Sequence, residues 1–453
     1  MRRKFINRNY ELNFLESSWQ RGKFSLIIVY GRRRVGKTRL LKEFSKGKKT
    51  IYFLAAEVPY EQLCDEFSSL VRGTVGIPVS GDIIEILNFL SRLKERYLII
   101  LDEFQYIVEA DKSFLSRLLR AIDEVLNESK LMIILCGSAV SFFERKLLGY
   151  KSPIFGRREG TIKLSSLKFK HIKEFFPSFR IDNLIEIYGM VGGTPAYLEK
   201  LSEAPLEENL RKILTPGMYL YDEAINLLRQ EVREPRTYLA ILSAIAEGKN
   251  SMGEISSRAK VDPRTIGKYV DLLEELEIIK RVNPLGFRKP VKLEFQDNYF
   301  RFWFTYVFRF RSPLEAGLVD EVLSYVIRTY NSYLSKVFEN LVIELVPELY
   351  KGGIIKTKPL EFGRWWHKDL EIDCIVREPG KSTTFIEIKW KRLKDSEAIR
   401  ELKDLETKSL KSGLMSPENF YILITKELEE HKIKLDERRM AIDIQTIERI
   451  LWS

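Results

Sequence analysis

The sequence predicts an α/β protein of several domains: a parallel sheet built around a glycine-rich loop, a helical lid, a winged helix, and a second α/β domain. Three observations support this prediction. In the first third of the chain, short apolar β-rich runs alternate with helical patterns, as parallel sheets require. After residue 235 the pattern changes to short helices and a hairpin, and two further strand patterns follow residue 370. The length of 453 residues exceeds one ordinary domain of roughly 100–200 residues.

The composition is that of folded globular domains, because 45% of the residues are hydrophobic and 31% are charged. The net charge of +11 permits a polyanionic partner without requiring one. The three cysteines are widely spaced among apolar neighbours, which argues against a disulfide framework or a cysteine metal site. No apolar run approaches the roughly 20 residues that cross a bilayer, and no secretory signal follows Met1. We therefore expect a cytoplasmic protein without a membrane span.

The first element is a glycine-rich loop between a strand and a helix. An apolar run at residues 25–30 leads into a complete G-x-x-x-x-G-K-[ST] motif, and a helical pattern follows. Such a P-loop cradles phosphates with backbone N–H groups, while Lys37 reaches the β and γ oxygens and Thr38 holds Mg²⁺. The motif therefore predicts ATP and Mg²⁺ as ligands, with the nucleotide bound by Gly31, Arg32, Arg33, Arg34, Val35, Gly36, Lys37, Thr38 and Arg39.

Two more strand patterns end in polar residues. The run at residues 97–101 is followed by Asp102 and Glu103, at the edge where a doubly wound sheet brings a carboxylate beside the P-loop. We expect Asp102 to bind Mg²⁺ through water and Glu103 to polarise the water that attacks the phosphate. The run at residues 131–136 ends before Ser138, which could sense the γ-phosphate.

Several short segments together resemble the archaeal ATPase family, a signal-transducing branch of the AAA+ related P-loop ATPases. The resemblance covers roughly the first half of the chain and rests on residues 5–8, 31–38, 102–105, 137–138, 156–158 and 192–195. It implies that Arg8 lies near the adenine and that Pro195 belongs to a turn that opens a helical lid. It also implies that Arg157 or Arg158 stabilises charge, either in cis or from a neighbouring subunit of a homo-oligomer. A solvated basic loop is the alternative for both arginines.

The middle of the chain has the order of a winged helix. One helix is predicted at about residues 238–247, a capping box joins Ser251 to Glu254, and Asp262 with Pro263 is expected to open a helix reaching about Ile278. Strand patterns at 279–282 and 291–295 flank a turn. If this module binds DNA, the contacts are expected from Arg264, Lys268 and Arg288. The acids at 271, 274, 275 and 277 oppose such binding, and a packing module that relays the nucleotide state is the alternative.

The C-terminal part carries a carboxylate pair on a predicted hairpin. Strands at 371–376 and 384–390 flank a turn, and alternation along the second strand places Glu387 and Lys389 on one face. Asp373 can lie opposite them, and Glu339 lies on the preceding helix. We expect Asp373 and Glu387 to bind Mg²⁺, while Lys389 orients the nucleophile and Glu339 completes the shell.

This arrangement resembles the PD-(D/E)xK, or restriction-endonuclease-like, superfamily, although Ile372 stands where proline is common. Residues 339–390 are also similar to the domain of unknown function that accompanies archaeal ATPase domains. The resemblance implies a Mg²⁺-dependent deoxyribonuclease. The alternative is a nuclease fold that has lost its activity and only binds a partner.

The predicted organisation is a P-loop ATPase core at 1–180, a helical lid at 181–234, a winged helix at 235–300, an aromatic connector at 301–330 and a nuclease-like domain at 331–453. Its predicted function is ATP hydrolysis coupled to a nuclease-like domain that acts on DNA, in DNA processing or defence. The alternative is a signalling ATPase whose C-terminal domain only binds nucleic acid or protein.

Overall fold

A computed structural model describes residues 5–149, 152, 154–232 and 234–452. The chain divides into two compact units, the first ending at Ser166 and the second beginning at Leu167. Among the described residues, no helix is both long enough and apolar enough to cross a membrane.

The first unit is a five-stranded parallel sheet covered by helices. Its strands are β1 (Ser25–Tyr30), β2 (Thr50–Leu54), β3 (Leu98–Asp102), β4 (Met132–Gly137) and β5 (Gly160–Lys163). They lie in the order β2-β3-β4-β1-β5. The helices are α1 (Asn9–Gln20), α2 (Lys37–Phe44), α3 (Tyr60–Val75), α4 (Ile83–Ser91), α5 (Gln105–Ala110) and α6 (Phe114–Glu124). A short 3₁₀ turn (Leu126–Glu128) precedes β4 and a π-helical turn (Phe142–Leu147) follows it.

The sheet order explains how distant residues meet. Strands β1, β3 and β4 are buried throughout, as their continuous apolar runs require for parallel strands covered on both faces. Because all strands run in one direction, their carboxyl ends share one edge. The P-loop after β1, Asp102 at the end of β3 and Ser138 after β4 therefore lie at the same edge.

The second unit begins with a helical region. After a 3₁₀ turn (Phe169–Glu174) come α7 (Ile181–Val191), α8 (Pro195–Leu198), α9 (Leu206–Leu214) and α10 (Tyr219–Glu231). Three helices and a hairpin follow in the order predicted for a winged helix: α11 (Pro235–Ala246), α12 (Met252–Ala259), α13 (Ile266–Glu275), β6 (Ile279–Val282) and β7 (Lys292–Phe295). The predicted capping box between Ser251 and Glu254 is confirmed at the start of α12.

The predicted bounds of the third helix in this module are wrong. Helix α13 begins at Ile266, because Asp262 forms a turn in which its side chain accepts from the backbone N–H of Arg264 at 2.8 Å. The helix ends at Glu275 and not near Ile278. Glu277 adopts a left-handed backbone conformation with a φ of 55°, which turns the chain into β6.

The rest of the second unit is a connector followed by a mixed sheet. The connector comprises α14 (Asn298–Phe302), a π-helical turn (Trp303–Phe308) and α15 (Arg311–Glu315). Helix α16 (Val319–Glu344) then runs without a break across the predicted boundary at residue 330, and α17 (Val346–Lys351) follows. The aromatic run packs against α10, since Tyr299 and Trp303 donate hydrogen bonds to the backbone carbonyls of Leu220 and Tyr221 on that helix.

The C-terminal sheet has six strands in the order β12-β13-β11-β10-β9-β8. They are β8 (Glu361–His367), β9 (Leu370–Glu378), β10 (Ser382–Leu393), β11 (Glu418–Leu428), β12 (Lys432–Lys434) and β13 (Arg439–Asp443). Strands β10, β11 and β13 are parallel, whereas β8, β9 and β12 pair antiparallel with their neighbours. Two more helices complete the domain, α18 (Asp395–Leu410) and α19 (Ile444–Trp452).

Candidate functional site

The P-loop is a tight turn between β1 and α2. Gly31 and Gly36 have φ angles of 154° and 100°, and Arg34 has a φ of 72°. A side chain at Gly31 would collide with the backbone carbonyl of Leu164, so only glycine fits there. The loop therefore has the compact backbone that the motif predicts.

Lys37 is the first residue of α2 and is only 7% exposed. Its Nζ donates to the backbone carbonyls of Gly31 at 2.8 Å and Arg32 at 3.1 Å. The ammonium group thus lies inside the curve of the loop, where phosphate oxygens would be cradled.

Asp102 ends β3 and is 3% exposed. One carboxylate oxygen, Oδ2, accepts from the hydroxyl of Thr38 at 3.3 Å and from the hydroxyl of Tyr52 on β2. Burial, and then the charge of Asp102, raise the pKa of Tyr52, which keeps that hydroxyl protonated as a donor. Hydroxyl and carboxylate oxygens are the ligands that Mg²⁺ prefers, so Thr38 and Asp102 fit this ion.

Glu103 follows in a left-handed backbone conformation with a φ of 53°. Its carboxylate accepts from the hydroxyl of Ser138 at 2.8 Å, from the backbone N–H of Ser138 at 3.3 Å and from the side-chain amide of Gln105 at 2.5 Å. A non-glycine residue at positive φ is uncommon and is often associated with function. Two neighbouring strand ends and the first residue of α5 therefore hold this acid in one orientation.

Arg8 connects the N-terminal segment to the P-loop. Its guanidinium donates to the backbone carbonyls of Val35, at 3.3 Å, and Ser165, and it pairs with Glu11 at 3.2 Å. The structure thus brings Arg8 against the loop, and its position near the adenine stays a prediction. Pro195 is the first residue of α8 in the second unit, and its contact with nucleotide stays a prediction.

The two candidate arginines lie near the opposite edge of the sheet. Arg157 forms a two-point ion pair with Asp123 on α6, with distances of 2.6 and 2.7 Å, and Arg158 lies over the ring of Phe155. Both precede β5, whose first residue pairs with Ile27 near the start of β1. From Ile27 to Gly31 the chain advances four residues, so at about 3.3 Å per residue roughly 13 Å separate the start of β5 from the P-loop. Whether these arginines act in cis or on a neighbouring subunit stays a prediction.

The candidate DNA contacts Arg264, Lys268 and Arg288 are all exposed. Two of the acids expected to oppose DNA are neutralised internally: Arg281 on β6 pairs with Asp271 at 2.7 Å and also with Glu274. The negative charge on this face is therefore smaller than the sequence suggests.

The C-terminal carboxylates meet where β9 and β10 diverge. Asp373 accepts from the backbone N–H of Ile388 at 2.8 Å, and the Nζ of Lys389 lies 2.6 Å from Oε1 of Glu387. Lys408 on α18 contacts the same oxygen at 3.1 Å, an interaction that the sequence did not reveal. Glu387 is 3% exposed, and its other oxygen, Oε2, has no hydrogen-bond partner within the described chain.

Charge and burial shift the pKa values of this group. Burial, followed by the charges of Glu387 and Glu339, raises the pKa of Asp373 to about 7. Burial alone would lower the pKa of Lys389, but the adjacent Glu387 outweighs it and the net shift is upward. Lys389 is therefore held as a cation beside a carboxylate.

These side chains face a cleft of about 650 Å³ between α16, the β9–β10 pair and α18. Glu339, Asp373 and Lys389 line it together with Ser332, Ser335 and Glu401. Three of the four predicted residues therefore line one cleft, whereas Glu387 is buried and contacts Lys389.

The expected shell of three carboxylates is not assembled. Oε2 of Glu339 accepts from Lys336 at 2.8 Å and from Arg364 at 3.1 Å. The carboxylate that was expected to bind a metal is therefore paired with two cationic side chains. No group of three or more His, Cys, Asp or Glu side chains in the described ranges is arranged to hold a metal ion. Asp373 and Glu387, with its unpartnered oxygen, remain chemically suitable for Mg²⁺, whereas Glu339 does not complete the shell.

Comparisons with known proteins match two regions of the chain to known domains. Residues 5–201 match an ATPase domain found predominantly in Archaea, and residues 303–400 match a domain of archaeal and bacterial proteins of unknown function. The chain is 36% identical to the uncharacterized protein MJECL04 of Methanocaldococcus jannaschii over 94% of this chain and 96% of that protein.

Two further matches concern parts of the chain. A segment covering 10% of the chain is 60% identical to the uncharacterized ATP-binding protein MJ0423 of the same organism, over 76% of that protein. The fold resembles the Walker-type ATPase PABY2304 of Pyrococcus abyssi, with a TM-score of 0.53 and 22% identity, over 67% of this chain and 97% of that chain. At this identity the likeness concerns the fold alone.

Proposed function

Because the chain belongs to the archaeal ATPase family, we propose that it binds and hydrolyses ATP at the edge formed by the P-loop, Asp102 and Glu103. The observation that carries this proposal is the position of Glu103. Its carboxylate is fixed by Ser138 and Gln105 one residue beyond Asp102, which contacts Thr38. Glu103 is therefore oriented independently of the residues that would hold the metal.

Each residue has a separate role in this proposal. Backbone N–H groups of the loop and Lys37 bind the phosphates, and Thr38 and Asp102 would hold Mg²⁺, which supplies charge neutralisation when bound. Glu103 orients the attacking water and accepts its proton. Ser138 and Gln105 position Glu103 through their hydrogen bonds to its carboxylate.

The test is ATP binding and hydrolysis by the full chain and three variants. Lys37→Ala should lose nucleotide binding, whereas Glu103→Gln should keep binding and lose hydrolysis. Glu109→Gln is the matched control, since Glu109 is an exposed carboxylate on the same short helix α5. Tight nucleotide binding by Lys37→Ala, or normal hydrolysis by Glu103→Gln, would contradict the assignment.

A second proposed activity is Mg²⁺-dependent cleavage of DNA by the C-terminal domain. It is supported by the unpartnered Oε2 of buried Glu387, beside Asp373 and Lys389 at a cleft. Asp373 and Glu387 would hold the ion, and Lys389 would neutralise charge on the phosphate. The exposed Arg264, Lys268 and Arg288 would contact the DNA backbone. The competing proposal is a signalling ATPase whose C-terminal domain binds nucleic acid or protein without cutting it.

A further inference from the structure

A second cleft, of about 310 Å³, is lined by β7, by the end of α11 and the loop after it, and by residues of α14, α16 and β9. It is separate from the carboxylate cleft and has an excess of basic groups. Four cationic side chains line it against two carboxylates: Lys249, Lys292, Arg301 and Lys336 against Glu294 and Glu371. The wall of this cleft is therefore positively charged at neutral pH.

The two carboxylates are already engaged. Both oxygens of Glu294 lie 2.6 Å from the guanidinium of Arg364, a residue outside the cleft. Glu371 lies 3.8 Å from Lys292, which also lies over the ring of Trp366. Lys336 pairs with Glu339 at 2.8 Å and lies 3.7 Å from Glu294, so the excess positive charge of the cleft is carried mainly by Lys249 and Arg301.

Arg301 has the clearest unsatisfied group. Its Nη1 is buried and makes no hydrogen bond in the described part of the chain. Burial lowers the pKa of Arg301, yet a guanidinium does not lose its proton in proteins. The charge therefore stays, and although Glu294 and Glu339 attract it, one of its buried nitrogens makes no hydrogen bond in the described residues. A buried charged group without a hydrogen bond is costly, and such a group in a native fold calls for a ligand, an ion or water.

The surroundings of Arg301 add to this imbalance. It belongs to a charge cluster of four cations and two carboxylates. The cations are Lys280, Arg301, Lys336 and Arg364, and the carboxylates are Glu294 and Glu339. Burial also lowers the pKa of Lys280 to about 8. An anion in the adjoining cleft would offset the excess positive charge of this cluster.

We propose that this cleft binds a small phosphorylated molecule, with Arg301 and Lys292 holding its phosphoryl group. A guanidinium fork and an ammonium group match the oxygens of a tetrahedral anion. The volume of about 310 Å³ is near the lower limit for small-molecule pockets and is too small for a duplex. Because α11, its following loop and β7 line one part of the cleft and α16 and β9 another, the bound anion would join the winged-helix module to the C-terminal domain.

Calorimetric titration with inorganic phosphate tests this proposal. The full chain is first saturated with a non-hydrolysable ATP analogue, so that the P-loop is filled. The wild-type chain should then bind phosphate saturably. Arg301→Met and Lys292→Met should each weaken binding by at least about tenfold, the effect of losing one charge-assisted hydrogen bond. Lys411→Met, which removes an exposed lysine far along the chain, should leave binding unchanged.

Absence of saturable binding, or equal affinity in the wild type and both variants, would overturn the proposal. Loss of the signal in Lys37→Ala alone would show that the phosphate occupies the P-loop and would also overturn it. If Arg301→Met does not fold, Lys292→Met decides the question, since Lys292 is partly exposed and tolerates substitution better. The experiment does not depend on hydrolysis or DNA cleavage.

Discussion

The hydroxyl of Ser138 lies 2.8 Å from a carboxylate oxygen of Glu103. The two residues are 35 positions apart, and they meet because β3 and β4 are adjacent parallel strands whose carboxyl ends share one edge. Ser138 thereby contacts the proposed catalytic acid, and its role as a sensor of the γ-phosphate stays a prediction. This contact connects the end of β4 to the orientation of Glu103.

Ser138→Ala should lower the rate of ATP hydrolysis by about tenfold while nucleotide binding stays unchanged. The variant removes a hydrogen bond that orients Glu103 and leaves the P-loop intact, and proton transfer depends on that orientation. Steady-state hydrolysis and direct nucleotide binding separate the two effects. A higher KM with an unchanged kcat would instead mean that Ser138 contacts bound nucleotide in the ground state.

Arg157→Ala should abolish hydrolysis in a way that a second inactive variant can rescue. If Arg157 acts on a neighbouring subunit, a mixture with Lys37→Ala forms sites that combine an intact P-loop with an intact arginine. The mixture should then hydrolyse ATP although neither variant does so alone. Arg157 would have to leave Asp123 in order to reach a neighbouring nucleotide site. Asp123→Asn, which weakens this ion pair, should therefore retain activity.

Full activity of Arg157→Ala by itself would assign Arg157 to the solvated basic loop. An inactive Arg157→Ala that stays inactive in the mixture would contradict action on a neighbouring subunit. Activity that depends on protein concentration in the wild type would support assembly of subunits. Both readings use the same hydrolysis assay.

Much of the nucleotide site could be predicted because its information is local. The spacing of Gly31, Gly36 and Lys37 specifies a phosphate loop, and a buried strand that ends in Asp102 and Glu103 specifies the position of two acids at the sheet edge. The contacts of Tyr52 and Gln105 were not foreseen. Tyr52 reaches Asp102 only because β2 lies beside β3, and the sequence does not state the strand order.

The C-terminal site shows the same limit. The hairpin that brings Asp373 near Glu387 is local, and its strands were predicted. Lys408 contacts Glu387, and Arg364 contacts Glu339, from elements whose approach depends on the packing of the whole domain. The pairing of Glu339 with Arg364 and Lys336 therefore could not be predicted from an E-x-K triplet and a nearby acid.

Asp373→Asn should abolish any DNA cleavage that the protein shows with Mg²⁺ or Mn²⁺, while ATP hydrolysis persists. The amide keeps the shape of the side chain and its acceptor for Ile388, but it removes the charge that would bind the metal. Nicking of supercoiled DNA is the measurement. Glu387→Gln should have the same effect.

Asp369→Asn is the matched control, because Asp369 is an exposed aspartate in the turn between β8 and β9. It should cleave DNA like the wild type. Intact DNA with every metal tested would favour the binding-only alternative. Equal cleavage by Asp373→Asn and the wild type would indicate a contaminating nuclease or a different site.

Lys280 should make the stability of the native state depend on pH in the alkaline range. Burial lowers its pKa from 10.5 to about 8, so between these values the unfolded chain keeps a proton that the folded chain has released. Because the unfolded state binds more protons there, the free energy of unfolding should rise with pH, by on the order of 3 kcal/mol relative to Lys280→Met. Chemical unfolding of the wild type and Lys280→Met at pH 7 and pH 10 measures this change. Lys411→Met, which keeps Lys280, should respond to pH as the wild type does. A constant difference between the wild type and Lys280→Met across this range would mean that Lys280 keeps an ordinary pKa in the folded protein.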